Sequence, residues 1–132
     1  IISALCKISI SGQGNLYLGN LYSKRDWGHA KDYVSAMWKM LQLKKPIDFV
    51  IGTGKTHSVR DFAKLAFEVA NLDYKKYVKI NKSFFRPTEV DTLISNSIRA
   101  KKILNWKPKF TFNQLVNDMV NADLKFVRKQ NY

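Results

Sequence analysis

The sequence predicts an α/β fold of mostly helices with short strands. Three observations predict it. Stretches with apolar residues at helical spacing alternate with apolar runs of three or four residues. Glycine, proline and asparagine punctuate the joints between them. The 132 residues, 45% hydrophobic and 13% aromatic, are enough to build a real core and too apolar for disorder. The strands are few and short, and are expected to join a sheet outside this chain.

Residues 1–11 place Ile1, Ile2, Leu5, Ile8 and Ile10 at helical spacing, and Gly12 and Gly14 end that helix. Leu16-Tyr17-Leu18 reads as a strand, and Gly19-Asn20 as a turn. The helix expected over 29–43 carries Ala30, Tyr33, Val34, Met37, Trp38 and Leu41, which form one apolar face. Pro46 closes the connection, and Asp48-Phe49-Val50-Ile51 reads as a fully buried strand. Ser58 and Asp61 have the spacing of a helix cap and its reciprocal acid, opening a helix to about residue 71. Tyr77-Val78-Lys79-Ile80 alternates as a strand does. Pro87 fixes a turn and extends Arg86. Ser97 is expected to cap a short helix over 98–104 with Ala100, Ile103 and Leu104 inward. Thr111 and Gln114 form a second capping box, from which the last helix runs to about residue 128.

Two glycine motifs invite phosphate-binding readings and fail on context. Gly12-x-Gly14 follows a helix and precedes a strand, and Tyr17 stands where a dinucleotide fingerprint needs its third glycine. Gly52-Thr53-Gly54-Lys55-Thr56 lacks the earlier glycine of a phosphate-binding loop, since position 49 is Phe49 inside the expected strand. The single cysteine, Cys6, allows no internal disulfide and sits among apolar residues, which fits a reducing, cytoplasmic setting and a buried thiol. No apolar run is long enough to span a membrane. The net charge of +13 raises the class of polyanion-binding proteins. The lysines, however, are spread along the chain without a basic stripe, and the aromatics fall at core spacing, so no nucleic-acid partner is expected.

No carboxylate pair suits acid–base work, and no histidine–cysteine cluster has metal-ligand spacing. The Tyr-x-x-x-Lys pair of short-chain dehydrogenases does not occur. The candidate chemistry is anion recognition. Arg25 and Arg86 are expected on two separate loops that follow strands, each with a carboxylate close by, Asp26 and Glu89. Guanidinium forks match phosphate oxygens, each charge-assisted contact contributing roughly 1.5–3 kcal/mol, and carboxylates accept from sugar hydroxyls. A phosphorylated sugar is therefore a candidate ligand, with ordinary surface ion pairs the competing reading.

Six motifs carry a resemblance: Leu18-Gly19-Asn20-Leu21, the run from Lys24 through Arg25-Asp26-Trp27-Gly28-His29-Ala30 to Val34, Ala36-Met37-Trp38, Thr56-His57-Ser58-Val59-Arg60, Phe85-Arg86-Pro87-Thr88-Glu89-Val90-Asp91 and Trp106-Lys107-Pro108. In order over nearly the whole chain, they resemble the GDP-mannose 4,6-dehydratases, extended short-chain dehydrogenases. The resemblance implies that residues 1–132 are the C-terminal substrate-binding part of a Rossmann-type enzyme. NADP would then be bound by an N-terminal domain outside this chain, as would the catalytic Thr, Glu, Tyr and Lys, leaving none here. It implies conversion of GDP-mannose to GDP-4-dehydro-6-deoxy-mannose on the route to GDP-fucose, by a cytoplasmic, homo-oligomeric lyase. This piece alone would be inactive. By the family pattern Arg25 and Arg86 hold the GDP diphosphate, Glu89 holds a hydroxyl of the nucleotide, and Asp26 and Trp27 shape the loop. The alternatives are a sugar-nucleotide-binding module without catalysis and a basic nucleic-acid-binding domain.

Overall fold

The structure, a computed structural model, describes residues 1–130. In chain order the elements are α1 (Ile2–Ser11), β1 (Leu16–Leu18), β2 (Lys24–Arg25), α2 (Ala30–Leu41), β3 (His57–Ser58), α3 (Val59–Val69), α4 (Tyr74–Tyr77), β4 (Val78–Ile80), a 3-10 turn (Lys82–Phe84), α5 (Ile98–Ile103) and α6 (Phe112–Gln130). The chain divides into two compact units. The first comprises Ile1–Ser23, Ser58–Asp91 and the chain from Val116, and the second Lys24–His57 and Thr92–Leu115.

In the first unit α1 buries Ile2, Leu5, Cys6 and Ile8 and ends at Gly12, whose φ of 68° is the left-handed conformation of a helix stop. Gly12 thus serves a helix end, its amide donating to the Ile8 carbonyl. α1 packs against α3. The predicted capping box opens α3: the Asp61 amide donates to Ser58 Oγ (3.0 Å) and the Ser58 amide to Asp61 Oδ2 (2.9 Å). The next two amides of that helix start, Val59 and Arg60, donate to the carbonyls of Ser23 and Leu21. Phe62, Ala63, Ala66 and Phe67 form its buried face. β1 pairs in parallel with β4, Leu16 opposite Val78. Val116, Val120 and Leu124 are the buried face of α6 in this unit.

In the second unit Ala36, Ala100, Leu104 and Trp106 make a small core, with Tyr33, Met40, Leu43, Phe49 and Ile51 packed on it. Asp32, in the first turn of α2, is buried. Its Oδ2 accepts the amides of Lys109 (3.0 Å) and Phe110 (3.1 Å), and its carbonyl accepts Trp106 Nε1 (2.9 Å). Lys39 Nζ donates to the carbonyls of Leu104 and Asn105, satisfying the end of α5.

Three expectations change. The side of α2 that faces the core is the one with Asp32 and Ala36, while Val34, Met37, Trp38 and Leu41 are 59–82% exposed. Residues 48–51 form no strand; Phe49 and Ile51 reach the core while Asp48 and Val50 face outward, and without a neighbouring strand no ladder forms. Ser97 does not cap α5 with its side chain. Its hydroxyl donates to the Gly52 carbonyl (3.0 Å), and Ile103 is exposed. Among the described residues no helix is long and apolar enough to cross a membrane.

Candidate functional site

Arg25 is the second residue of β2 and is half-buried. The backbone on either side of it is tied down. The Lys24 carbonyl accepts the Leu93 amide (3.1 Å), and Lys24 pairs in parallel with Thr92. The same carbonyl accepts Arg25 Nη1 (2.7 Å), so the guanidinium is held by its own strand.

Asp26 follows, and its carboxylate is the hub of this unit. Oδ1 accepts the Thr53 amide (3.0 Å) and Thr53 Oγ1 (2.5 Å). Oδ2 accepts the Gly54 amide (2.9 Å), the Ser95 amide (3.3 Å) and the Ser95 hydroxyl. Burial pushes the Asp26 carboxyl up, but the hydrogen bonds from Ser95, Thr53 and Gly54 outweigh it and hold the group below the ordinary carboxylate range. Gly52 is required here, because a Cβ would run into Ser95 Oγ and Asp26 Oδ2. The Gly52–Gly54 loop therefore does wrap an anion with its amides, and the anion is the chain's own carboxylate.

A recess of about 330 Å³ lies beside Arg25, walled by Asp26, Tyr33, Gly52, Leu93 and Ser95 among others. Burial, and then the nearby Asp26 and Asp32, push the Tyr33 phenol up. A second cavity of about 430 Å³ is walled by Trp27, Lys55, His57, Lys109 and Phe112 among others. His57 is structural, as its position before the Ser58 cap suggests: its ring stacks on Phe112 at 3.8 Å and its carbonyl accepts Trp27 Nε1 (3.2 Å).

Arg86 and Glu89 belong to the first unit, on the segment after the 3-10 turn. That turn is anchored at both ends of Asn81. The Asn81 amide donates to the Leu18 carbonyl (2.8 Å), and its Oδ1 accepts the Ser83 amide (2.9 Å). Arg86 is exposed and Glu89 half-buried. The chemistry these residues offer is anion and hydroxyl recognition. Among the described residues no group of histidine, cysteine, aspartate and glutamate could hold a metal. Sequence reasoning missed Thr53 and Ser95; the available signal was a glycine turn with no phosphate-loop context.

The architecture is an α/β fold of the class seen in solved dehydratases and epimerases. RMD from Pseudomonas aeruginosa complexed with NADPH matches 95% of this chain with 41% of its own, at a TM-score of 0.84 and 16% identity. The dTDP-glucose 4,6-dehydratase of Bacillus anthracis in complex with NAD matches 94% of this chain with 38% of its own, at a TM-score of 0.81 and 21% identity. Within that class the chain belongs to the GDP-mannose 4,6 dehydratase family, whose model matches residues 1–119. GDP-mannose 4,6 dehydratase 1 of Arabidopsis thaliana is 45% identical over 130 residues, covering 98% of this chain. The Dictyostelium discoideum enzyme is 47% identical over 130 residues and 86% of this chain. The chain spans 36% of the length of each of these two relatives.

The expectation that NADP binding belongs to a domain outside this chain is corrected. The NADPH and NAD complexes match over 95% and 94% of these residues, which relates this region itself to nucleotide binding in those proteins. The expectation rested on the family resemblance, which assigns cofactor binding to an N-terminal domain.

Proposed function

We propose that this chain is the C-terminal substrate-binding portion of a GDP-mannose 4,6-dehydratase and supplies contacts to the GDP of GDP-mannose. The family match over residues 1–119 carries the reading. The reaction is the NADP-dependent loss of water from GDP-mannose to give GDP-4-dehydro-6-deoxy-mannose, the cofactor supplying reversible hydride acceptance. The enzyme is a cytoplasmic homo-oligomer with no nucleic-acid partner. The +13 charge is carried by dispersed, solvated lysines.

Arg25 binds a diphosphate oxygen. A guanidinium held by its own backbone at 2.7 Å reaches the ligand with little rotamer freedom left to lose. Arg86 binds the diphosphate as well, and Pro87 restricts the backbone that presents it. Glu89 accepts from a hydroxyl of the nucleotide. No residue here moves a proton or a hydride; these groups bind and orient.

Calorimetric titration of GDP-mannose tests this. Arg25→Ala and Arg86→Ala should each weaken binding roughly 10- to 150-fold, the equivalent of one charge-assisted contact. Unchanged affinity in both variants refutes the assignment. A protein carrying this region that forms no dehydrated GDP-sugar refutes the activity.

A further inference from the structure

We infer that Thr53 and Ser95 act, through Asp26, as positioning residues for Arg25, so that the affinity of the anion site is set by two segments remote from it in sequence. The inference rests on the proposed role of Arg25 and adds residues to it.

Arg25 is bracketed. On its N-terminal side the Lys24 carbonyl is fixed by the Leu93 amide at 3.1 Å. On its C-terminal side the Asp26 carboxylate takes hydrogen bonds from the amide and hydroxyl of Ser95 and from the amide and hydroxyl of Thr53. Residues 92–95 therefore grip both neighbours of Arg25, and the Gly52–Gly54 loop closes the grip from the other side. Ser97, whose hydroxyl donates to the Gly52 carbonyl at 3.0 Å, ties these two segments to each other. β2 is only two residues long and pairs with the equally short β3, so its own ladder is minimal. The bonds from residues 92–95 and from Thr53 add to that short pairing in fixing the backbone on either side of Arg25. The guanidinium returns to the Lys24 carbonyl, the same atom that Leu93 grips, which passes any shift of 92–95 directly to the charged group. The recess beside Arg25 is walled by the same residues, Asp26, Gly52, Leu93 and Ser95.

A residue that acts only through Arg25 loses its effect when the Arg25 fork is gone. The test is a double-mutant cycle on GDP-mannose affinity by calorimetry, with Ser95→Ala and Thr53→Val measured in the native chain and in an Arg25→Lys background. Lysine keeps the charge and so a measurable affinity, but not the planar fork. Each substitution should weaken binding roughly 3- to 10-fold in the native chain and less than about twofold in the Arg25→Lys background. Equal losses in both backgrounds, or no loss in the native chain, overturn the inference. If Arg25→Ala itself leaves affinity unchanged, the proposed function fails instead. Hydrogen exchange of the ligand-free chain provides a second reading: Ser95→Ala should speed exchange of the Gly54 and Leu93 amides while the melting temperature stays within a few degrees of native. Unaltered protection at both amides also overturns it.

Discussion

Asp26 shows how one ionised side chain gathers segments that are distant in sequence. Thr53, Gly54 and Ser95 lie 27, 28 and 69 residues away in sequence, and all converge on its two oxygens. The bonds that bind it ionised lower its pKa, so their stabilisation is fully present above the unfolded value, about 3.9, and is lost as pH falls through the lower folded value. Asp26→Asn removes that pH-dependent contribution. The variant should be less stable than native at pH 7, and the difference in urea midpoint should shrink as pH falls below the unfolded value and through the lower folded one. A gap that stays constant with pH would mean the carboxylate is not the stabilised form. At this scale residue types and the resemblance nominate Arg25, Arg86 and Glu89, a nomination that the titrations of the arginine variants test. Nothing in the spacing announced Ser95, because a hydrogen bond across 69 residues leaves no periodic trace.

Elements were legible where the forces that make them are local. The capping boxes at Ser58 and Thr111 form as their spacing requires: Thr111 Oγ1 accepts the Gln114 amide at 3.2 Å, and Gln114 Oε1 accepts the Thr111 amide at 2.8 Å. α1, β1, β4 and the start of α3 also follow their patterns. The reading failed where tertiary partners decide. In α2 the apolar stripe is the longer signal, yet the helix is oriented by buried Asp32, which takes the amides of Lys109 and Phe110. Replacing Asp32 with Ala leaves both amides without that acceptor and should cost about 1–3 kcal/mol of unfolding free energy, measured by urea titration. Asp32→Asn retains a carbonyl oxygen and should cost less. If Ala and Asn are equivalent and near neutral, α2 is held by its apolar contacts after all. Residues 48–51 failed for a related reason. An apolar run specifies burial, but a strand also needs a neighbour to pair with, and the pattern cannot supply one.

At the scale of the whole molecule, charge and apolar surface act in opposite directions. A net charge of +13 keeps copies of the chain apart at low salt and draws a dianionic nucleotide toward any of its cationic sites. Raising the salt screens both effects within a Debye length of about 8–10 Å. What then remains is the α2 stripe of Val34, Met37, Trp38 and Leu41, each more than half exposed and adjacent on one helix face. Sedimentation velocity should accordingly show a chain that is dispersed at low salt and associates with rising concentration at high salt. Met37→Glu with Leu41→Glu should suppress that association. Both side chains already face water, so the pair should change unfolding free energy by no more than about 0.5 kcal/mol per site. A loss of several kcal/mol would instead show that the stripe is buried in the folded chain, and association unaffected by the substitutions would place the sticky surface elsewhere.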